Sequence, residues 1–353
     1  VGLHLPVFFI NDSMKFPDFI HSLKPSPIDN VRYPERFFDF ASLSPETTHA
    51  ITWLYSDLGT IKSYRKINGF GVNTYVWVNA QGKRHLVKYH WKSMQGTEQL
   101  TREEAIRLAG ENPDIATEDL YKALAAGEKV CYELYVQLLD PDLAVMLPFD
   151  PLDATKLWDE KQFPLMKVGM MTLDQNPQNF FAQVEQSAFS PSNLVPGIEL
   201  SNDKLLQGRA FAYADAHRYR LGVNSAQLPI NRSRSPVNNN QQNGLMAIDI
   251  PSSDINYHPN SRAGNRPPLC PAPKCHGPSE SGCVGRYQIA KNDDFTQAGE
   301  TYRSFSEKEK AHLIHNLACD LKGANADIQQ RMIRNFTKAD PDYGQRLAKA
   351  LAK

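Results

Sequence analysis

Long apolar runs are what this 353-residue chain most plainly lacks. Nothing in it approaches the ~18 consecutive apolar residues that span a bilayer, and no signal peptide opens it, so no membrane partner is expected and a cytoplasmic location is. Net charge is absent too: 39 Lys and Arg balance 39 Asp and Glu, so bulk charge draws in neither nucleic acid nor an anionic surface. Cysteine is scarce and odd in number, at five, which suits a reducing compartment better than a disulfide framework. Three of the five stand in Cys270-x4-Cys275-His276-x6-Cys283. That set has zinc-type ligands but no tight Cys-x2-Cys clamp, and prolines interrupt it, so a polar surface loop is expected there and not a zinc site. The ending Ala350-Leu351-Ala352-Lys353 is not the Ser-Lys-Leu peroxisomal address.

What is present is a soluble composition, 41% apolar, long enough for one large or two ordinary domains with real cores. Strand signals fill residues 1–140. Val7-Phe8-Phe9-Ile10 is a short apolar run, and Thr74 to Val78 alternates with period two. The turn Asn79-Ala80-Gln81-Gly82 joins the latter to His85–Trp91 as a hairpin, and Val130 to Leu138 alternates over a longer span. Between them, Thr101 to Ala126 reads as two short helices, the first opened by a Thr101/Glu104 capping box. Residues 141–290 are irregular and proline-rich, most of all from Pro229 to Pro278. From Ser306 a second capping box, with Glu309, opens a helix on which Leu313, Leu317 and Leu321 recur each turn. Asp340-Pro341 ends the helical run, and Tyr343 to Ala352 adds another helix.

One stretch carries chemistry. Arg209-Ala-Phe-Ala-Tyr213-Ala-Asp-Ala-His217-Arg218-Tyr219-Arg220 is Ala-rich and free of Gly and Pro, so it reads as helix. At about 100° per residue, positions 209, 213, 217 and 220 fall within an arc of roughly 80°. A phenol that titrates near ~10 is a poor metal ligand at neutral pH. An Arg one turn away favours its phenolate, a good hard ligand for ferric iron, and the second Arg suits a carboxylate. The same spacing also fits a solvated helix face with an Arg at each end.

The words around that helix resemble the proximal haem-ligand signature of the haem catalases. So do Pro6-Val7-Phe8-Phe9-Ile10, Phe16-Pro17-Asp18-Phe19-Ile20-His21-Ser22, Asn68-Gly69-Phe70-Gly71, Asn176-Pro177-Gln178-Asn179-Phe180-Phe181, Pro196-Gly197-Ile198-Glu199 and Asn335-Phe336-Thr337, in family order along the chain. The resemblance implies an α+β fold built on the family's eight-stranded antiparallel β-barrel. The expected division is a partial barrel over 1–140, a wrapping region over 141–290 with the proximal haem helix at about 205–221, and a C-terminal helical region over 291–353. The family's N-terminal arm, distal catalytic His, its Ser partner and first strands have no counterpart in these residues. A truncated, split or late-initiated reading frame and a barrel unable to close are therefore the expectation. The distal Asn of the family motif is Leu3 here, which makes no hydrogen bond, and the neighbouring His4 is not expected to replace the lost His.

By resemblance, haem b is the cofactor, Tyr213 its axial iron ligand, and Arg209 the group that keeps the phenol ionised. His217 and Arg220 match the remaining proximal haem contacts, and Phe8 and Phe16 match aromatics that pack on the distal face; without the family they would be core aromatics. His49, Ser56, Asn68, Lys92 and Trp158 match an NADPH site. However, Leu58 replaces the Arg that pairs with the 2′-phosphate and Glu160 replaces a His, so NADPH is not expected. The implied reaction is decomposition of hydrogen peroxide to water and oxygen by a homotetramer. With no distal His and no arm to thread between subunits, weak activity and irregular assembly are expected of these residues alone. The alternative is a non-catalytic haem-binding or pseudoenzyme fragment that works with a partner segment. A family member acting on fatty-acid hydroperoxides would keep the distal His.

Overall fold

The computed structural model describes residues 3–235, 242–250, 253–262, 285, 289 and 293–352. The Cys270–Cys283 set lies outside the described residues. Among the described residues no helix is long and apolar enough to cross a membrane.

Six antiparallel strands make one sheet: β1 (Gly69–Phe70), β2 (Tyr75–Val78), β3 (Arg84–Ser93), β4 (Val130–Leu139), β5 (Met166–Leu173) and β6 (Ile198–Leu200). Their order is β5-β4-β3-β2-β6, with β1 pairing onto β3, and among the described residues the sheet ends at β5 and β6 without closing. The hairpin forms where the alternation and the Asn79–Gly82 turn place it. Asn79 Oδ1 accepts from the amides of Gln81 and Lys83 at 3.0 and 2.9 Å, and Gly82 takes the left-handed φ of +82° that the turn needs. The run Val7–Ile10 is not a strand. Its Val7 and Ile10 are fully buried, but the Phe8 amide donates to the Ala154 carbonyl at 2.8 Å and no ladder partner continues the pairing.

Three helices, α1 (Phe16–Leu23), α2 (Pro34–Leu43) and α3 (Thr47–Tyr55), enter the region read for its strands. None carries a side-chain N-cap; α1 has Pro17 as its second residue and α2 starts on Pro34, and proline fits the first helical turn where no amide bond is lost. The two helices between strands, α4 (Arg102–Glu111) and α5 (Ile115–Ala125), form as expected, with the Thr101/Glu104 box closed in both directions. The candidate site helix is α6 (Lys204–Arg220). At the C-terminal end come α7 (Thr296–Ser304), α8 (Glu307–Leu321), α9 (Ala326–Ala339) and α10 (Pro341–Leu351). Asp340 breaks α9 from α10 in an extended conformation and caps the amide of Asp342.

The main core joins both ends of the chain: Phe19, Phe37, Phe38 and Ile51 pack with Leu313, Leu317, Leu321, Phe336 and Tyr343. A smaller core under the sheet holds Val76, Leu86, Leu139, Trp158 and Phe163. An irregular strap, residues 150–158, bridges these parts through its carbonyls. Pro151 O accepts from Thr74 Oγ1 at 2.8 Å, Thr155 O from His49 Nδ1 at 2.8 Å, Lys156 O from Lys88 Nζ at 2.8 Å and Trp158 O from Gln137 Nε2 at 3.1 Å.

Candidate active site

The helix that carries the site is placed by its first turn. Asp203 caps α6, its Oδ1 accepting from the Leu206 amide at 3.0 Å, and Leu205 and Leu206 are the residues it buries. Gly208 lets the helix approach the turn before α1. A Cβ there would sit 2.4 Å from Ser13 Cβ, so no larger residue fits without a shift.

One turn on, Arg209 is stretched between two partners. Its Nη1 donates to Asn73 Oδ1 at 2.6 Å and its Nη2 to the Tyr213 hydroxyl oxygen at 3.0 Å, with the guanidinium carbon 5.1 Å from the phenol ring centre. One guanidinium nitrogen is thus anchored on Asn73 while the other donates to the Tyr213 oxygen. A cation therefore stands at hydrogen-bond distance from the Tyr213 oxygen, on a ring that is partly exposed. That donor set suits ferric haem.

Behind Arg209 stand two residues that sequence reading passed over. Asn73 Nδ2 donates to Asp203 Oδ2 at 2.7 Å, and the Thr74 amide reaches the same oxygen at 3.4 Å. Asp203 is fully buried, and burial pushes its carboxyl up, while the bonds from Asn73 and Leu206 and the charge of Lys88 pull it back. Asn73 follows a strained turn. Val72, β-branched, sits at φ +46°, and the Asn73 amide closes onto Gly71 O at 2.5 Å. Strain in so unsuited a residue marks a place where position matters more than local comfort. The cap was legible in principle, as Asp203 before an apolar pair; Asn73 had no signal.

Further along the same face, the rings of Tyr213 and His217 meet edge to face at 6.2 Å. His217 Nε2 lies 2.7 Å from Phe189 O, and Arg220 donates to Glu185 O and Ser187 O, both at 2.7 Å. The four residues thus share one face, but His217 and Arg220 brace the loop after the π-helical turn Phe181–Glu185. Phe8 and Phe16 stack on one another, 6.3 Å apart at 23°. Among the described residues no ring contact joins them to Tyr213; the link runs through Ser13 and Gly208. Leu3 bridges to Phe70 through its backbone, 2.8 Å from amide to carbonyl. His4 keeps a buried Nε2 without a partner, and burial lowers its pKa, so the ring is neutral.

The positions matched to an NADPH site are committed elsewhere. His49 is fully buried, Nδ1 on Thr155 O and Nε2 receiving Thr301 Oγ1 at 3.0 Å and Trp53 Nε1 at 3.1 Å. Trp158 Nε1 donates to Pro151 O at 3.2 Å, Asn68 Oδ1 accepts from the Ser93 amide at 3.0 Å, and Ser56 Oγ donates to Trp53 O at 2.7 Å. Lys92 lies 5.3 Å over the Tyr135 ring.

Comparison with known proteins gives the same direction throughout. The Catalase family model matches residues 1–264, and a model described as Catalase-related immune-responsive matches residues 288–351. A catalase of Vibrio vulnificus (strain YJ016) is 49% identical over 356 residues, covering 99% of this chain and 69% of its own length. Catalase A of Pseudomonas putida is 45% identical, with 99% of this chain and 73% of the relative covered. Among solved structures, catalase A from Saccharomyces cerevisiae superposes with a TM-score of 0.93 at 37% identity, covering 99% of this chain and 73% of that one. A fungal catalase structure reaches a TM-score of 0.94 at 38% identity, covering 99% and 72%.

Proposed function

The chain belongs to the catalase family, and from that premise we propose that it serves the haem-dependent decomposition of hydrogen peroxide to water and oxygen, with Tyr213 as the residue that would hold the haem iron. The observation that carries the assignment is the Arg209–Tyr213 contact at 3.0 Å, anchored from behind by Asn73. Ferric haem b supplies the redox chemistry of O–O cleavage when bound. The chain's own part is to hold a phenolate oxygen, orient it and keep it deprotonated.

Arg209 performs the last of these. Its guanidinium stabilises the charged phenolate and, being held by Asn73, does not swing away when the proton leaves. His217 and Arg220 set the far end of the proximal face by fixing residues 185–189, and Arg220 offers haem carboxylates a cation only at the expense of those carbonyls. Phe8 and Phe16 provide a stacked apolar wall suited to a porphyrin face. Leu3 brings no proton donor to that side.

NADPH is not assigned to this chain. A fully buried His49 with both ring nitrogens engaged, together with Leu58 in place of a cation, leaves the matched positions unsuited to a dinucleotide phosphate. Exposed apolar residues on α6 and β5, such as Phe211, Tyr219, Val168 and Met170, favour burial in an oligomer, the form typical of the family.

Tyr213→Phe tests the assignment. The ring and its packing stay while the ligand atom goes, so the ferric-phenolate absorption of the haem-loaded protein is abolished and peroxide decomposition with it. A spectrum that survives the substitution removes Tyr213 from the iron. Arg209→Ala leaves ligation in place but weakens haem retention, read by haem transfer to an acceptor protein.

A further inference from the structure

A thiol, an imidazole and a carboxylate meet on the outside of the molecule, on α8 and α4, which take no part in the site described above. His315 and Cys319 stand four residues apart on α8, so helical spacing puts them on one face. Glu103 reaches that face from the first turn of α4, 212 positions earlier in the chain. His315 Nε2 lies 2.8 Å from Glu103 Oε1, and the Cys319 sulfur lies 3.7 Å from Nε2 and 4.0 Å from Nδ1 of the same ring. Cys319 is a free thiol, and all three side chains are exposed. We propose that Cys319 is a peroxide-reactive modification site, with His315 accepting its thiol proton and Glu103 as the positioning residue behind the ring.

The thiolate is what attacks a peroxide, and a free thiol is only a few per cent ionised at neutral pH. Cys319 differs from such a thiol in the order of the groups beside it. An ionised carboxylate only accepts, so Glu103 takes the Nε2 proton of the neutral ring and leaves Nδ1 as the basic nitrogen within reach of the sulfur. Hydrogen bonds from its own amide and then from His315 hold the Glu103 carboxyl below the usual carboxylate range, so it is ionised. A proton passing from sulfur to Nδ1 makes an imidazolium with a negative group on either side. Among the described residues no three such groups are placed to hold a metal ion, so the set is nucleophile, base and orienting acid. A second pair fixes α4 against the same stretch of α8: Arg102 Nη2 donates to Asp320 Oδ1 at 2.5 Å, and Tyr55 donates to Asp320 Oδ2 at 3.0 Å. Cys131, by contrast, has the Thr172 hydroxyl at 3.6 Å from its sulfur, a group that takes up no proton at neutral pH. In the reaction the Cys319 sulfur bonds to one oxygen of hydrogen peroxide as the O–O bond breaks. The departing hydroxide takes the proton held on His315 and leaves as water. Sulfur is oxidised by two electrons to the sulfenic acid, and the peroxide is reduced. A low-molecular-weight thiol then displaces a second water to give the reversible mixed disulfide.

The test uses the haem-loaded protein at one fixed pH and reads each cysteine separately by peptide mass spectrometry. Iodoacetamide measures the nucleophile. His315→Gln is expected to slow alkylation of Cys319 about tenfold, within the roughly thirtyfold open to a thiol that is a few per cent ionised, while Cys131 keeps its rate. Glu103→Gln still accepts from Nε2 but brings no charge, so it is expected to slow Cys319 by the about two- to fivefold that an exposed ion pair supports. Free imidazole added to His315→Ala should return most of the lost rate, which a merely structural ring would not allow. Hydrogen peroxide is then supplied continuously by glucose oxidase, so that turnover at haem does not exhaust it, with dimedone to trap sulfenic acid. The dimedone adduct is expected at Cys319 in the parent and about tenfold more slowly in His315→Gln. A Cys319 rate that His315→Gln leaves unchanged, or no dimedone adduct at Cys319 in the parent, overturns the proposal. An unchanged rate in Glu103→Gln overturns the role given to Glu103. All the substituted side chains are exposed, so loss of the fold does not mask either result.

Discussion

Around Phe336 the helices from both ends of the chain close on one another until Phe38, Leu313, Leu317 and Tyr343 are out of solvent. Tyr343 stacks on Tyr302 at 4.4 Å and tilts against Phe336 at the same distance. The helix that carries Tyr213 is built in the opposite way. Over seventeen residues α6 buries only Leu205 and Leu206, and it leaves Phe211 and Tyr219 at 78% and 79% exposure. Its place is set by a cap, a close glycine contact and hydrogen bonds reaching into the sheet. The first region is held by area removed from water, the second by a few directional contacts. Truncating a side chain in one should therefore cost stability, and in the other position.

The sharpest test of that contrast is Phe336→Ala. Opening a cavity among rings this tightly packed is expected to cost about 3–5 kcal/mol, measured by chemical denaturation. The Tyr213 environment in the molecules that remain folded should not change. A spectral change of the size seen for Arg209→Ala would show that the two regions are not separable.

Acid comes next, because burial keeps two imidazoles neutral. His49, against the helical core, and His90, on β3, are both pushed down to about 4 by burial. For His49 the bonding adds its own reason: a second ring proton would face the N–H of Trp53 and the hydroxyl of Thr301. In an unfolded chain both titrate near ~6.5. Between ~6.5 and ~4 the unfolded state thus binds more protons, so the stability these groups support is whole above ~6.5 and is lost as pH falls toward ~4. His49→Gln should flatten that dependence by about 3 kcal/mol. His90, bonded to Gln137 Oε1 at 2.9 Å and pushed down as far, should contribute about as much. A His49→Gln variant that keeps the parent's full loss of stability between ~6.5 and ~4 would remove His49 from that dependence.

Gly208→Ala probes the site helix itself. The added methyl meets Ser13, and relieving it costs about 1–3 kcal/mol, partly offset by about 1 kcal/mol of helix propensity. Adding Ser13→Gly should restore both stability and haem affinity, and failure to do so would place the strain elsewhere. The smallest effect is expected at the exposed pair Arg107–Glu111 on α4, where Arg107→Ala should change stability by less than about 0.5 kcal/mol.

What could be read ahead of the structure was whatever is written locally. Two capping boxes, at Thr101/Glu104 and Ser306/Glu309, each occupy four residues and both form. The β2–β3 hairpin is specified by alternation and one turn, and the face holding Arg209, Tyr213, His217 and Arg220 by helical spacing. The three early helices were not read, because they carry proline in the first turn or start without a cap and their apolar residues answer to α8 and α9 far along the chain. Val7–Ile10 looked like a strand because burial on all sides and burial in a sheet leave the same apolar run. The candidate face was visible, and what supports it was not. Asn73 meets Asp203 across 130 positions and Arg209 across 136, and no spacing rule reaches that far.

The strap at 150–158 carries one more consequence. Thr74, His49, Lys88, Gln137 and the Phe8 amide all bind it by main-chain oxygens, not by side chains. Its exposed letters are therefore free to drift in related sequences wherever the carbonyl does not move, while its length and its buried Ala154, Thr155 and Trp158 are not. A single inserted or deleted residue would put every oxygen after it out of step with its donor, shifting the sheet, the Phe8 segment and the helical core against one another at once. In an alignment of relatives, this irregular segment should hold its residue count like a strand and vary in composition only at its exposed positions.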